Sequence, residues 1–278
     1  MNNKELIDLF VFLFVIIILC LFIKFEFFTN EVKNTSHNSK VCLYTCITGD
    51  YDNNVFIDST KVNCDLLFFT NNKSLGEKFS KKGWIVNYID DKEITDNKLL
   101  ARKHKLLPHK YIPDKYDISI WIDGNISLKN NFFDVTNFIK EIDIENNDLV
   151  CKKHPARNSI KTEAKMVIRL KFEKEDNINK VFEIQKKDNF KDDVGLTETN
   201  ILVRKHNKDI MKKAMENWFE LVKICIRDQI SFDYILWKYK LKYNRKEYHY
   251  FHNNYFRIHN HHNTKNKIIE AFMNFFKF

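Results

Sequence analysis

The chain has 278 residues, 44% hydrophobic and 30% charged, with 46 basic side chains against 37 acidic ones and a formal charge of +9. That length suits one large α/β domain with short extensions, and 5 glycines and 3 prolines are too few for a string of small, turn-rich β modules. The two signs of charge are intermixed, no basic run is denser than Arg102-Lys103-His104-Lys105, and no zinc-finger, P-loop or RNA-recognition signature occurs, so nucleic acid is not an expected partner.

From the amino end, Leu9 to Ile23 carries no charge, and Leu6 and Ile7 extend the apolar run past Asp8. A helix of about 20 apolar residues spans a bilayer. No alanine precedes Ala101, so the small residues of a cleavage site are missing, and an uncleaved signal anchor is expected over 1–28. Lysines flank it on both sides and do not fix its orientation. A polar stalk is expected over 29–40, one domain over 41–262, and a terminal helix over 263–278. The cysteines at 20, 42, 46, 64, 151 and 225 include no Cys-X-X-Cys pair and give no disulfide pairing.

Within the domain, strands are expected over Val41–Ile47, Asp65–Thr70 and Trp84–Tyr88. A helix follows over Asn97–Leu107, with Leu99, Leu100, Lys103 and Leu106 on one stripe and Pro108 ending it. Next comes the apolar strand of residues 118–122, Ile-Ser-Ile-Trp-Ile. The second half reads as helices over 131–140, 160–188, 207–223 and 226–239, with a strand over 199–204. Strands alternating with helices predict a mainly parallel sheet covered on both faces.

Several polar groups fall where such a fold does chemistry. Asp123 and Asn125 emerge at the end of the 118–122 strand, and ligands of open α/β sheets bind at the carboxyl ends of strands. A carboxylate with a second oxygen donor two residues on suits a hard divalent cation that also holds phosphates, although Asp-Gly-Asn is equally the residue set of a plain turn. Thr48, Gly49, Asp50 and Tyr51 form the exit loop of the first strand, where backbone N–H groups and a ring can meet a nucleotide, or where the chain simply turns. Arg102 and Lys105 are neighbours at i and i+3, a cationic face for a diphosphate or a solvated surface. Glu198 and Asn200 flank the start of the 199–204 strand, and Asp228 and Gln229 precede a helix, where an acid also serves as an ordinary first-turn stabiliser. His259, in His259-Asn260-His261-His262, is a candidate imidazole ligand.

Taken in order, Thr-Gly-Asp-Tyr-Asp (48–52), Phe-Phe-Thr (68–70), Arg-Lys-His-Lys (102–105), Tyr-Asp-Ile-Ser-Ile-Trp-Ile-Asp-Gly-Asn-Ile (116–126), Glu-Thr-Asn-Ile-Leu-Val-Arg-Lys-His (198–206) and Arg-Asp-Gln-Ile-Ser-Phe (227–232) resemble the TOD/MUCI glycosyltransferase-like family over residues 41–262. The resemblance implies a GT-A-like single α/β domain tethered by one membrane helix, a nucleotide-diphosphate sugar as donor, and a divalent metal, manganese or magnesium. It gives Asp123 the first place of an Asp-any-Asp motif, with Asn125 as a departure at the second; His259 is expected to help them hold the metal. Thr48, Gly49, Asp50, Tyr51, Arg102 and Lys105 are expected at the donor nucleotide, and Asn200, Gln229 and Trp121 at the acceptor sugar. Asp228 or Glu198 is then the base of an inverting reaction. The expected function is membrane-anchored transfer of a hexose to a hydroxyl of a glycan, glycoprotein or glycolipid, with the domain lumenal or otherwise outside the cytoplasm. The alternative is a non-catalytic carbohydrate- or nucleotide-binding protein of the same fold, to which Asn125 points.

Overall fold

The computed structural model describes residues 40–260. The expected anchor, all but the last residue of the stalk, and the terminal helix lie outside them, as do His261 and His262. Among the described residues no helix is long and apolar enough to cross a membrane.

Seven strands form one sheet: β1 (Val41–Cys46), β2 (Asp65–Thr70), β3 (Ile85–Tyr88), β4 (Ile118–Ile122), β6 (Leu149–Lys153), β7 (Thr197–Arg204) and β8 (Tyr243–Lys246). Their order is β3-β2-β1-β4-β7-β6-β8. A separate ribbon pairs β5 (Ile126–Leu128) with β9 (Phe256–Ile258). The 3-2-1-4 start is that of a doubly wound nucleotide-binding sheet, and it places a switch point between β1 and β4. β1 shows why the sheet lies between layers. Cys42, Tyr44 and Cys46 face one apolar cluster, Val41 and Leu43 the other, and all are buried.

Helices cover both faces. On the Val41 side lie α1 (Lys73–Ser80), α4 (Val135–Glu141) and α9 (Tyr248–Asn254). On the Tyr44 side lie α2 (Asn97–Leu106), α5 (Ile160–Arg169), α6 (Glu175–Lys187), α7 (Asp209–Ile224) and α8 (Gln229–Lys238). A single turn, α3 (Pro108–Tyr111), follows α2. The expected α/β domain with a mainly parallel sheet covered on both faces is the one observed.

Strands β5, β6, β8 and β9 and helix α9 are not in the sequence expectation, and three further departures need a physical account. The single helix over 160–188 is two, because Lys171 takes a left-handed conformation (φ 54°) and ends α5. α1, absent from the expected order, starts at Asn72, whose side chain accepts from Leu75 N–H, and it buries Leu75 and Phe79 one turn apart. The third matters most for function. β7 runs antiparallel to both β4 and β6, while the other four pairings are parallel. Its amino end therefore lies at the same sheet edge as the carboxyl ends of β4 and β6. In that register Asp123 N–H donates to Asn200 O (2.9 Å) and Lys152 stands opposite Glu198.

Candidate active site

The site is built at that edge. α2 starts at Asp96, whose carboxylate caps Lys98 N–H (2.8 Å), and it crosses the Tyr44 face so that Arg102 and Lys105 point at the ends of β4 and β7. Its last turn is pinned from below. Tyr44 Oη (2.9 Å) and the buried Arg204 Nη2 (2.8 Å) both donate to Lys105 O, which satisfies a carbonyl that a helix end leaves open.

Lys105 is 1% exposed, and its ammonium lies among three acceptors. It is 2.7 Å from Asp228 Oδ2, 3.3 Å from Thr199 Oγ1 and 3.5 Å from Asp123 Oδ1. Arg102 Nη1 lies 3.3 Å from Asp228, and Thr199 Oγ1 donates to Asp228 Oδ2 (3.1 Å). Burial alone would raise the Asp228 carboxyl, but the charges of Arg102 and Lys105 outweigh that and hold it far below the usual carboxylate range. Asp228 makes no capping bond to α8. Its carboxylate belongs to the cationic cluster, so the first-turn stabiliser reading does not apply.

Glu198 is different. Burial raises its proton affinity, Lys152 lowers it, Asp123 raises it again, and the net result is a carboxyl above the ordinary glutamate value. His154 Nε2 stands 3.7 Å from its Oε2. Burial and the charges of Arg157 and Lys152 push His154 down to about 4, so that ring is neutral at pH 7. Lys152 is wholly buried, 2.6 Å from His252 Nε2 and over the ring of Tyr248 at 4.5 Å. Burial depresses it to about 8, against the pull of Glu198 and Asp123.

The expected donor loop is shaped by its asparagines. Gly49 sits at φ +59°, its N–H donates to Asn71 Oδ1 (2.8 Å), and a Cβ there would lie 2.5 Å from Asn97 Nδ2. Thr48 Oγ1 donates to Asn97 O (2.6 Å), and Asn72 Nδ2 reaches Gly49 O and Asp50 Oδ1, both at 3.2 Å. Tyr51 is half exposed, and the charges that act on its phenol are those of Arg102, Asp123, Arg227 and Asp52.

The three expected metal ligands fall into two groups. Asp123 Oδ1 takes the Trp121 indole N–H (2.8 Å) and faces Lys105, which leaves Oδ2 uncommitted. Asn125 and His259 sit together at the end of the β5–β9 ribbon. His259 N–H donates to Asn125 O (2.9 Å), and Asn125 Nδ2 donates to His259 O (2.6 Å). His259 Nε2 is 2.7 Å from Ser127 Oγ and the ring stacks on Phe56 (4.3 Å), so Nδ1 is the nitrogen left for a cation. Among the described residues no three His, Cys, Asp or Glu side chains gather as a ready metal cage. A carboxylate, an amide and an imidazole are donor types that divalent ions accept.

Two expected sugar contacts are placed elsewhere. Trp121 packs into the core against Tyr44 (5.1 Å) and meets the site only through its N–H on Asp123. Gln229 is buried, with its amide toward Thr197 O (3.4 Å). Asn200 does reach the edge, and its Oδ1 is buried without a partner among the described residues. Thr199, Lys152, His154 and His252 were not singled out from sequence. The apolar run Leu149-Val150-Cys151 was the available sign of a strand that would carry Lys152 inward.

No curated protein sequence matches the chain. Mouse xyloside xylosyltransferase 1 in its apo form overlaps it at 10% identity and TM-score 0.44, across 74% of this chain and 84% of that one. Core-mannan synthase A from Aspergillus fumigatus, solved with Mn and GDP, overlaps at 10% identity and TM-score 0.39, across 74% and 72%. The galactosyltransferase LgtC, solved with donor and acceptor sugar analogues, gives 14% identity and TM-score 0.39, across 74% and 72%. No substrate of this chain follows from overlaps of that size. The profile of the TOD1/MUCI70 glycosyltransferase-like domain matches residues 14–264, most of the chain, and the chain belongs to that family.

Proposed function

We propose that the protein transfers a hexose from a nucleotide-diphosphate sugar to a hydroxyl acceptor. The observation that carries this reading is the meeting of Arg102 and Lys105 with Asp123, Thr199 and Asp228 beside the β1/β4 switch point. Family membership supports the reaction class. Sugar transfer from such a donor breaks the bond between the anomeric carbon and the diphosphate, so negative charge grows on the leaving oxygen. Two cations held in a site shielded from water stabilise that charge with little reorganisation. The Thr48–Tyr51 loop holds the nucleotide, with Gly49 allowing close approach of the backbone. Asp123, with Asn125 and His259, would hold a manganese or magnesium ion that supplies further positive charge to the diphosphate.

The two carboxylates divide the remaining work. Asp228 stays ionised, and with two cations on it, it is a poor proton acceptor; its part is to aim Lys105 and Arg102. Glu198 has the raised proton affinity a general base needs, and it takes the proton of the attacking hydroxyl if the anomeric centre inverts. Asn200, whose carbonyl takes the Asp123 N–H, stands beside Asp123 at the sugar end of the site. The apolar 9–23 segment supports a membrane tether, and the transfer reaction itself is the ground for placing the domain on the lumenal or outer side.

The test uses the full-length protein and a panel of nucleotide sugars, each with manganese, magnesium or a chelator. Metal-stimulated release of nucleoside diphosphate from one donor is the expected result. The replacement of a second carboxylate by Asn125 favours the rival, a binding protein without turnover. Tight nucleotide binding with no release from any donor would decide for the rival, and no binding at all would refute both.

A further inference from the structure

Past Glu198 runs a strip of cationic and aromatic groups that the transfer reaction as described does not use; its Arg227 also acts electrostatically on Tyr51 and Asp228. His154, 3.7 Å from Glu198, is also 3.8 Å from Glu163. Glu163 is buried at the start of α5, and two guanidiniums converge on it. Arg157 bonds it through Nε and gives Nη2 to His154 (2.9 Å). Arg227 reaches it only with Nη2 at 3.8 Å, beyond hydrogen-bond range. Among the described residues no acceptor lies within bonding distance of the Arg227 guanidinium, and its Nε is buried without a partner.

A guanidinium with five N–H donors and no acceptor is an incomplete site. Arg227 is 29% exposed, so a ligand can reach it. Its face lies 5.5 Å from the ring of Phe172, which is 54% exposed on the turn that separates α5 from α6. That turn is where Lys171 breaks the expected long helix. The turn thus sets an apolar ring in solvent beside an unsatisfied cation, which Glu163 and His154 link to the carboxylate proposed as base.

We propose that Arg227, Arg157 and Phe172 form the acceptor subsite, and that the sugar docking there carries a carboxylate. The inference rests on the transferase reading. A guanidinium takes a planar carboxylate through two parallel hydrogen bonds, and the sugar's C–H face covers the phenyl ring. Charge selects the carboxylate over a phosphate. Two guanidiniums share one buried carboxylate, which leaves a single positive charge for a monoanion, whereas a phosphate monoester brings close to two negative charges. The donor diphosphate is not the intended occupant, because Arg102 and Lys105 already face the nucleotide side from α2.

The experiment compares three disaccharide acceptors that differ at one carbon: glucuronate-terminated, glucose-terminated and glucose-6-phosphate-terminated. Acceptor-stimulated nucleotide release and calorimetric binding are both measured on the full-length protein in the presence of nucleoside diphosphate. The expected result is a KM for the glucuronate acceptor at least tenfold below the neutral one, and tighter binding in the same order. Arg227→Ala should bring the ratio of the two KM values near one, Arg227→Lys should restore part of it, and Phe172→Ala should weaken both sugars. Circular dichroism checks that each variant is folded. Equal use of acidic and neutral sugars overturns the proposal, as does preference for the phosphorylated sugar. Loss of nucleoside diphosphate affinity in Arg227→Ala would move Arg227 to the donor half and also overturn it. Arg227-dependent glucuronate binding without nucleotide release from any donor would sink the transferase reading while leaving an acidic-sugar site in place.

Discussion

The Lys105–Asp228 contact offers the sharpest test of the site. Both groups are almost fully buried and 2.7 Å apart. Removing one partner of a buried pair strands the other and costs about 3–5 kcal/mol. Here the cost should fall near 3 kcal/mol, because each survivor keeps a second partner: Asp228 keeps Arg102 at 3.3 Å, and Lys105 keeps Asp123 at 3.5 Å. For a domain of this size that corresponds to a Tm lower by roughly 6–12 °C in Lys105→Met or Asp228→Asn. The double variant replaces both charges, strands neither, and should recover about 2 kcal/mol relative to the sum of the singles. Urea and thermal unfolding of the four proteins at pH 7 supply the cycle. The pH dependence gives an independent check. The folded Asp228 carboxyl lies below its unfolded value of about 3.9, so its stabilisation is complete above roughly pH 5 and is lost as pH falls through the folded value. The gap between the wild type and Asp228→Asn should therefore narrow toward pH 3. Singles that add within about 0.5 kcal/mol, or a gap that does not change with pH, would refute the coupled, buried pair.

Other expectations concern neighbouring residues. Glu198→Gln should lower kcat by roughly 10²–10⁴-fold while nucleotide binding persists, as read by single-turnover kinetics; a loss of less than about threefold removes Glu198 as the base. Lys152→Met deletes the charge that lowers the Glu198 proton affinity, so the acid limb of kcat/KM should move to higher pH, and no shift or a downward one contradicts the electrostatic link. Gly49→Ala puts a Cβ at φ +59° against the Asn97 amide, a local cost of about 1–2 kcal/mol. It should weaken nucleotide affinity several-fold with only a small change in Tm, and unchanged affinity would take the loop out of the donor site.

Much of this molecule is written locally. The strands over Asp65–Thr70 and Ile118–Ile122 fall where their apolar runs put them, since a strand buried on both faces must be apolar at nearly every position. α2 follows its capped, periodic pattern to Leu106, two residues before Pro108, and Arg102 and Lys105 share a face because three residues make most of a helical turn. Asp123 stands at its strand end because the glycine after it allows the turn. Only the tertiary structure decided which of these groups act together. A lysine in a short run such as Leu149–Lys153 reads as solvent-facing, and it is buried here because β7 pairs antiparallel and sets Lys152 opposite Glu198. Neither the direction of β7 nor its register is encoded within its own eight residues; both are fixed by β4 on one side and β6 on the other. Asp228 looked like a helix-start acid, and distance in space gave it two cations from α2, more than a hundred residues earlier in the chain. Sequence sets the local conformation because propensity and capping act over a few residues, whereas a site of opposed charges depends on contacts between elements, which exist only once the sheet has formed.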